Sequence, residues 1–424
     1  MLSQWRERIN SFRGLYGSRG KAVAGSGDTL VVTHAELSAR HGTGALLVRI
    51  LGAEQNLMAF HSREFFKTHD MEVAAFPVNH SGGPLGAGRK RVRQLLKGKA
   101  IGRILCVPFY EDEVHSALAA QAHTGAPLAL YIMDDQNIHV KEISDSLMRT
   151  LIQRAKICFA ISPALCAAYQ EKYQHRFWFV PPVADPGLFV PVDYHFIPNS
   201  PPHGILIGNL WSSQTLSQFR ETIRLTGLRI DWFGNAGKPF VALDPEELAK
   251  EGIFLRSHVP EKTLVENART ADFAVIPAGT LDGADTHDWL ARASLPSRIV
   301  YLMATANVPM IVMGHRETAA ARFVNDLGLG AVCDYSPASF RSAVQSVTNH
   351  VASAQIRIRA AELSPTFSSK GLSTWLWESM SLGRPISDRF EALLRGETTN
   401  RPPFSGQPGS GAKPSPSPLK SNPH

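Results

Sequence analysis

Short apolar runs alternate along most of the chain with longer segments whose apolar residues recur at helical spacing. Continuous apolar strands separated by amphipathic helices are typical of a parallel β-sheet covered on both faces. In the first part of the chain the pattern predicts strands at Asp28–Thr33, Leu57–Phe60, Glu72–Pro77, Arg103–Phe109, Leu128–Met133, Ile157–Ile161 and Phe177–Pro181. It predicts the intervening helices after Gly44 and at Val114–His123, Ile143–Ala155 and Pro163–Tyr173.

A proline-rich break between Pro181 and Pro202 separates this series from a second one. Here strands are predicted at Gly204–Ile207, Leu228–Phe233, Ile253–Leu255, Phe273–Pro277, Pro309–Val312 and Gly330–Cys333, and helices at Ser213–Thr226, Leu264–Thr270, Pro337–Val347 and Ser373–Leu394. The fold class is therefore α/β, with two doubly wound, Rossmann-like halves joined near residue 200. Ligands of such sheets bind beyond the carboxyl ends of the strands, so we expect the two halves to face each other across a cleft.

The segment from Leu295 to Gly314, LPSRIVYLMATANVPMIVMG, combines a loop, a helix and a buried strand. The dipeptide Pro296-Ser297 stands where a helix begins, and Asn307 stands where it ends. The first turn of a helix offers free N–H groups and a partial positive charge, which suits a phosphate group. Arg298 adds a cation at that point.

The chain of 424 residues is too long for one ordinary core. We expect an N-terminal extension at 1–27, a first domain at 28–200, a second at 201–355 and a helical segment at 356–397. The tail at 398–424, rich in Pro, Gly and Ser, has little to bury and is predicted to be disordered.

Formal charge is +7 at neutral pH, which favours anionic partners. Much of it lies between residues 89 and 103, which we interpret as a basic amphipathic helix. Such a helix can bind an anionic membrane surface or simply be a solvated face. Its basic residues are Arg89, Lys90, Arg91, Arg93, Lys97, Lys99 and Arg103. No nucleic-acid motif accompanies them, so nucleic acid is not an expected partner.

The remaining composition indicates an intracellular protein. Neither a membrane-spanning run nor a secretory signal is visible, and the cysteines lack metal-ligand spacing. Cys106, Cys158, Cys166 and Cys333 are predicted to be buried thiols. We therefore expect a cytoplasmic location, with peripheral attachment to the inner membrane through the basic helix as an option.

Several segments, in order, resemble the GT-B glycosyltransferases, in particular the bacterial group 1, family-four-like members. The similar segments are HGTGALL, YIMDDQ, CFAISPALCAAYQEKY with FWFVPPVADPGLF, LIGNLWSSQTL, FLRSHVPEKTLVENARTADFAVIPA and the Leu295–Gly314 segment. The resemblance spans Asp28 to Leu394. It implies an acceptor-binding first half, a second half that binds a nucleotide sugar as substrate, and no cofactor or bound metal.

This resemblance also implies roles for individual residues. For the donor they are Pro296, Ser297, Arg298, Asn209, Arg256, His258, Asp282 and Tyr301. The loop His41-Gly42-Thr43-Gly44 is expected to approach the acceptor or a phosphate. Asp134 or Asp135 is a candidate general base, while the other can cap the following helix.

Two features depart from the family pattern. Tyr301 and Ala293 stand where many retaining members have paired glutamates, so Asp282, Asp285 or Asp288 is expected to contact the sugar instead. The loop 209–214 lacks the usual cation, which leaves Arg298, Arg256 or Arg316 to neutralise the diphosphate.

These expectations lead to one preferred function and two alternatives. The preferred function is transfer of a sugar, of the hexosyltransferase class, from a nucleotide-diphosphate donor to a carbohydrate or glycolipid acceptor in polysaccharide biosynthesis. The alternatives are a non-catalytic scaffold that binds a sugar nucleotide or glycan, and a sugar-nucleotide epimerase on the same fold.

Overall fold

The computed structural model describes residues 27–71, 73–80, 85–191, 196–210, 212–234, 243–283 and 288–395. The predictions for the extension at 1–27 (Gly27 apart) and for the tail at 398–424 lie outside these residues.

The first half contains a seven-stranded parallel sheet in the order β3-β2-β1-β4-β5-β6-β7. Its central strands are short apolar runs because both faces are covered by helices. The strands are β1 (Asp28–Thr33), β2 (Leu57–His61), β3 (Ala74–Pro77), β4 (Ile101–Cys106), β5 (Leu128–Ile132), β6 (Ile157–Ala160) and β7 (Trp178–Phe179). The helices are α1 (Gly42–Leu51), α2 (Leu85–Leu96), α3 (Glu111–Thr124), α4 (Asp145–Arg154) and α5 (Pro163–Tyr173).

The second half repeats this architecture with six parallel strands in the order β10-β9-β8-β11-β12-β13. They are β8 (His203–Ile207), β9 (Arg229–Phe233), β10 (Ile253–Arg256), β11 (Phe273–Pro277), β12 (Met310–Met313) and β13 (Gly330–Cys333). The helices are α6 (Ser213–Arg224), α7 (Pro245–Lys250), α8 (Glu261–Thr270), α9 (Asp288–Ala293), α10 (Ser297–Ala306), α11 (Ala319–Asp326), α12 (Pro337–Thr348) and α13 (His350–Leu363). The predicted fold class, two doubly wound parallel sheets, is confirmed.

Residues 364–395, which we call the return segment, pack back onto the first half. The segment contains α14 (Leu372–Leu382) and α15 (Glu391–Leu394). Indole Nε1 of Trp377 donates to Glu54 Oε1 at 2.8 Å, and Glu391 Oε1 accepts from the N–H of Phe179 at 3.0 Å. The chain thus crosses twice between the halves.

The carboxyl ends of the two sheets face each other. After β5, Asp134 accepts a hydrogen bond from Ser294, which precedes α10, at 2.7 Å. On α1, Arg49 pairs with Glu261 of α8 at 3.3 Å. These contacts between the halves place the loops that follow β1, β5, β8 and β11 around one cleft.

The structure corrects the predicted basic helix. Helix α2 ends at Leu96, and Arg103 lies in β4, where it pairs with Glu54 at 2.7 Å. Arg103 therefore does not belong to the exposed basic face. Arg103 and the apolar residues after it are part of β4, which lies beside β1 at the point where the strand order reverses. Residues of a strand cannot also continue helix α2.

Three helices were not predicted: α7, α9 and α11. They have six to eight residues, too few to show helical periodicity. The predicted start of the helical segment at residue 356 falls inside α13, which begins at His350 and is buried along Ile356, Ala360 and Leu363. The predicted helix Ser373–Leu394 is two helices, because Gly383 with a φ of 67° ends the first.

The four cysteines are buried free thiols, as predicted. In the described part of the chain, no helix combines the length and apolar character that a membrane span requires.

Candidate functional site

Arg298 joins the start of α10 to the loop after β8. Its Nη1 donates to the carbonyl oxygens of Ile207 at 3.0 Å and Asn209 at 3.2 Å. Between these residues Gly208 has a φ of 90°, and a Cβ there would lie 3.2 Å from Nη1. The strand order reverses between β8 and β11, so Arg298 lies at the point where doubly wound sheets bind ligands.

The Arg298 side chain is partly buried and pairs with no carboxylate among the described residues. Its Nε has no hydrogen-bond partner there. Burial lowers the pKa of the guanidinium to about 10, which still leaves it charged at neutral pH. A buried cation without a carboxylate is costly, and an anionic ligand would relieve that cost.

The first turn of α10 adds backbone donors to this cation. The residue at its N-cap is Pro296, whose side chain has no acceptor, so no N-cap side chain occupies the N–H groups of the first turn. The same helix carries Tyr301, where burial raises the pKa of the phenol. Its ring lies 5.2 Å from the Arg49 guanidinium of the first half, which places Tyr301 where the halves meet.

The structure pairs Arg256 with a carboxylate of the neighbouring strand. Its Nε and Nη2 donate to Asp231 Oδ1 of β9 at 3.0 and 2.6 Å. Burial alone would raise the pKa of Asp231, but hydrogen bonds from Arg256 and His203 lower it overall. Arg256 is thus engaged in an ion pair within the sheet, and the nearby His258 is exposed.

The acidic loop after β11 is only partly described. Asp288 accepts from the N–H groups of Leu281 at 3.1 Å and Gly283 at 2.8 Å, so its carboxylate holds this loop. Asp282, between them, is exposed at the surface. Asp285 lies outside the described residues.

The two adjacent aspartates after β5 have different environments. Asp135 is completely buried and accepts from the N–H groups of Asn137, Ile138 and His139, with His139 Nδ1 at 2.8 Å. Asp134 points to the second half and accepts only from Ser294 in the described contacts. Burial raises the pKa of Asp134 to about 6; the Ser294 hydrogen bond opposes this and the charge of Asp135 adds to it.

The two glycines of the loop His41–Gly44 have different surroundings. A Cβ on Gly44 would lie 2.4 Å from the carbonyl oxygen of Glu36, so this position is required for packing. Nothing lies within 4 Å of a Cβ on Gly42, and Thr43 follows it in the first turn of α1. The open side of the loop is therefore at Gly42 and His41.

Sequence reasoning missed a cluster of rings beside this loop. The His34 ring, directly after β1, lies 4.9 Å from the His41 ring, 3.8 Å from Phe109 and 6.0 Å from Phe65. These residues come from the ends of β1, β2 and β4. The available signal was position along the chain, since His34 and Phe65 follow predicted parallel strands and Phe109 is the last residue of one.

On the basic helix α2, Arg89, Lys90, Arg91 and Arg93 are all exposed, as is Lys97, which directly follows the helix. Its apolar residues Val92 and Leu96 are buried in the core of the first half. The helix therefore presents charge outward and no apolar stripe.

Neither a protein-family model nor a curated protein sequence matches the chain. Solved structures do match. HepE of Anabaena in complex with UDP-glucose is 12% identical, with a TM-score of 0.61 over 84% of this chain and 99% of HepE. WaaG, a glycosyltransferase involved in lipopolysaccharide biosynthesis, is 13% identical, with a TM-score of 0.53 over 84% and 99%. AviGT4, a glycosyltransferase of avilamycin A biosynthesis, is 10% identical, with a TM-score of 0.52 over 83% and 96%.

At identities this low, the structural match establishes a shared architecture and nothing more. That architecture agrees with the two facing parallel sheets described above. The chain thus has the fold of the GT-B glycosyltransferases.

Proposed function

We propose that the protein is a glycosyltransferase that moves a hexosyl group from a nucleotide-diphosphate donor to a carbohydrate or glycolipid acceptor in polysaccharide biosynthesis. The observation that carries this proposal is Arg298, whose partly buried guanidinium has an unpartnered Nε and no carboxylate partner in the described residues, at the start of α10, where the N-cap residue provides no side-chain cap. The HepE structure with UDP-glucose supports a nucleotide sugar as the donor class. Membership of the family-four-like group stays a prediction.

In this proposal the diphosphate lies against the first-turn amides of α10 and Arg298. The bond from the anomeric carbon to the diphosphate oxygen breaks, and the helix amides and guanidinium stabilise the negative charge on the leaving group. A bond forms from the anomeric carbon to the acceptor oxygen, whose proton passes to Asp134. Asp135 is a poor proton acceptor for this step because it is enclosed by its own loop.

The first test is thermal stabilisation by UDP, GDP, ADP and TDP and by their glucose conjugates. A ligand that binds only the folded protein adds about 2.7 kcal/mol to the free energy of unfolding at a hundredfold excess over its Kd. We expect one nucleotide class to raise the midpoint in the wild type. Arg298→Ala should abolish that shift and lower turnover roughly 10²-fold or more.

The matched control is Arg292→Ala, which removes an exposed arginine of α9 and should keep the shift. Arg298→Lys keeps the positive charge but lacks the planar guanidinium with its several donors, so it should retain part of the ligand-induced shift. Midpoints without ligand show whether each variant is folded. An Arg298→Ala protein that is folded and fully active would contradict the assignment.

A non-catalytic sugar-nucleotide or glycan-binding scaffold is the second candidate. Two groups predicted to bind the donor, Arg256 and Asp288, are engaged within the protein. In the described part of the chain, the cation that binds the loop after β8 is Arg298 of α10. Binding of a nucleotide sugar without transfer or donor hydrolysis, across a broad acceptor panel, would favour the scaffold.

We also propose that α2 holds the protein at an anionic membrane surface. Because Val92 and Leu96 are buried in the core, the attraction is electrostatic and requires no insertion. Each basic residue near such a surface contributes about 1 kcal/mol. The triple variant Lys90→Glu, Arg93→Glu and Lys97→Glu should therefore weaken binding to phosphatidylglycerol vesicles roughly hundredfold.

Vesicle sedimentation measures this binding. A control with the same charge change, Lys250→Glu, Lys262→Glu and Lys370→Glu, alters exposed lysines elsewhere and should bind like the wild type. Binding of the wild type should also disappear in high salt. Equal loss in both triple variants would show a net-charge effect and no role for α2.

A further inference from the structure

The ring cluster beside the loop His41–Gly44 contains two imidazoles whose Nδ1 atoms lack hydrogen-bond partners in the described part of the protein. His34 is 5% exposed, and its Nδ1 has no partner in the described part of the protein. The Nδ1 atom of His41 is likewise buried and unpartnered there. Buried polar atoms are almost always hydrogen-bonded in folded proteins, so these two nitrogens indicate a ligand with polar hydrogens or oxygens.

The imidazoles are neutral at pH 7. Burial lowers the pKa of His34 well below its usual value, and the neighbouring His41 and Arg63 lower it further. Burial also lowers the pKa of His41, against an opposing effect of Glu36. Neutral imidazoles bind hydroxyl groups as donors or acceptors but provide no charge for a phosphate.

The arginine whose charge acts on His34 is already engaged. Arg63 pairs with Asp112 at 3.3 Å, and its guanidinium lies 4.4 Å from the centre of the Tyr110 ring. The cluster therefore lacks what a phosphoryl group would require, which argues against the phosphate role for the loop His41–Gly44.

An aromatic surface completes the cluster. Phe65 is 50% exposed, and its ring is stacked on His41 with centroids 5.2 Å apart and an interplanar angle of 11°. One face of Phe65 is thus covered by the imidazole, and the other is available to a ligand. The electron-rich face of an aromatic ring attracts polarised C–H groups, which a pyranose ring presents on its less polar side.

We propose that His34, His41, Phe65, Phe109 and Tyr110 form the acceptor subsite and that this subsite takes the ring of a neutral sugar. The ring stacks on Phe65 and its hydroxyl groups bind the two imidazoles. An acyl chain would leave both nitrogens unsatisfied, and a phosphate would lack a countercharge. This inference rests on the proposed function, because it identifies the second substrate of the same cleft.

The test uses protein labelled with ¹⁵N-histidine. Imidazole signals of His34 and His41 are assigned with His34→Gln and His41→Gln and followed during titration with methyl glycosides of glucose, galactose, mannose and N-acetylglucosamine. We expect at least one of these neutral glycosides to shift both signals. The corresponding hexose 6-phosphates should bind no more tightly than the neutral sugars.

Phe65→Ala removes only the half-exposed ring, so the protein should fold and bind the sugar roughly tenfold more weakly. The matched control is Phe66→Ala, whose ring contacts Phe65 but neither imidazole in the described ring contacts. Three results would overturn the inference: unmoved His34 and His41 signals across the panel, tighter binding of the phosphorylated sugars, or wild-type affinity in Phe65→Ala.

The nucleotide titrations separate this inference from the proposed function. Stabilisation by a nucleotide sugar without any response at His34 and His41 would reject the acceptor subsite alone. A glycoside response without stabilisation by any nucleotide would reject the transferase and leave a sugar-binding site.

Discussion

At the residue scale, the contacts of the charged groups around the cleft divide them by role. Asp135, Arg256 and Asp288 make several hydrogen bonds within the protein and hold loops or strands. Asp134 accepts one hydrogen bond, from Ser294, and Arg298 donates to two backbone carbonyl oxygens but pairs with no carboxylate among the described residues. Both are partly buried and lie where the two sheets face each other. Charged groups kept in such positions at a cost in stability are candidates for substrate contact.

The free-energy cost of ionising Asp134 in the folded protein predicts a pH dependence of stability. Its pKa is raised to about 6 in the folded protein, from about 3.9 in an unfolded chain. Between these values the folded state binds the proton more tightly, so this group makes the free energy of unfolding fall as pH rises from about 4 to about 6. Above that range Asp134 is ionised in both states and its contribution stays constant.

Asp134→Asn should remove this cost while keeping an oxygen for Ser294. We expect the substitution to be more stabilising at pH 7 than at pH 4, by about 1–3 kcal/mol. Urea unfolding of both proteins at the two pH values measures the difference. Asp326→Asn, at an exposed position of α11, should show no such dependence. Equal effects of Asp134→Asn at pH 4 and pH 7 would contradict the environment described for this carboxyl group.

At the element scale, α1 and α10 begin without a side-chain cap, as α4, α8 and α14 also do. The N-cap residues of α1 and α10 are His41 and Pro296. Both helices follow loops at the cleft, and the buried residues of both pack into the protein core. Tertiary packing therefore replaces capping as the source of their stability.

The two glycines of α1 provide a matched pair that tests this packing. Gly44→Ala places a Cβ 2.4 Å from the Glu36 carbonyl oxygen and 2.6 Å from that of Ser38, so the loop must move. We expect a loss of about 1–3 kcal/mol in the free energy of unfolding. Gly42→Ala meets nothing within 4 Å and should be neutral or slightly stabilising, because alanine favours helix. Chemical denaturation that ranks the two variants in the opposite order would refute this account of α1.

At the scale of the whole molecule, the return segment links the stability of the two halves. One apolar core contains residues from the first sheet, from α10 and from α14. The polar anchor of the segment is the Trp377–Glu54 hydrogen bond, and Arg103 lies over the Trp377 ring at 4.7 Å. A shared core of this kind favours cooperative unfolding.

Trp377→Phe keeps an aromatic ring but removes the indole N–H, which leaves Glu54 Oε1 without its donor. We expect a loss of about 1–3 kcal/mol, seen as a lower midpoint of a single transition. Trp178→Phe, on β7, is the control and should change stability less. Circular dichroism during urea unfolding measures both variants. Two separate transitions, of which Trp377→Phe shifts only one, would show that the halves unfold independently.

Local apolar patterning in the sequence was sufficient to predict most elements of the fold. The bounds of β1, α5, β11 and β13 agree with the predictions residue for residue. A buried parallel strand is a continuous apolar run, and a helix over a sheet repeats its apolar residues every three to four positions. These signals depend on neighbours along the chain, so they are visible without the fold. The elements that were missed are short helices and the division between α14 and α15.

Only the tertiary structure decided which side chains meet at the cleft. His34, Phe65 and Phe109 are separated by more than thirty residues at each step, and they meet because β2, β1 and β4 are neighbours in the sheet. Strand order likewise pairs Arg256 with Asp231 and leaves Arg298 beside the loop after β8. Local periodicity records whether a residue is buried but not which strand lies beside it. The sequence by itself therefore determined the architecture, and long-range packing decided which of its polar residues are available for chemistry.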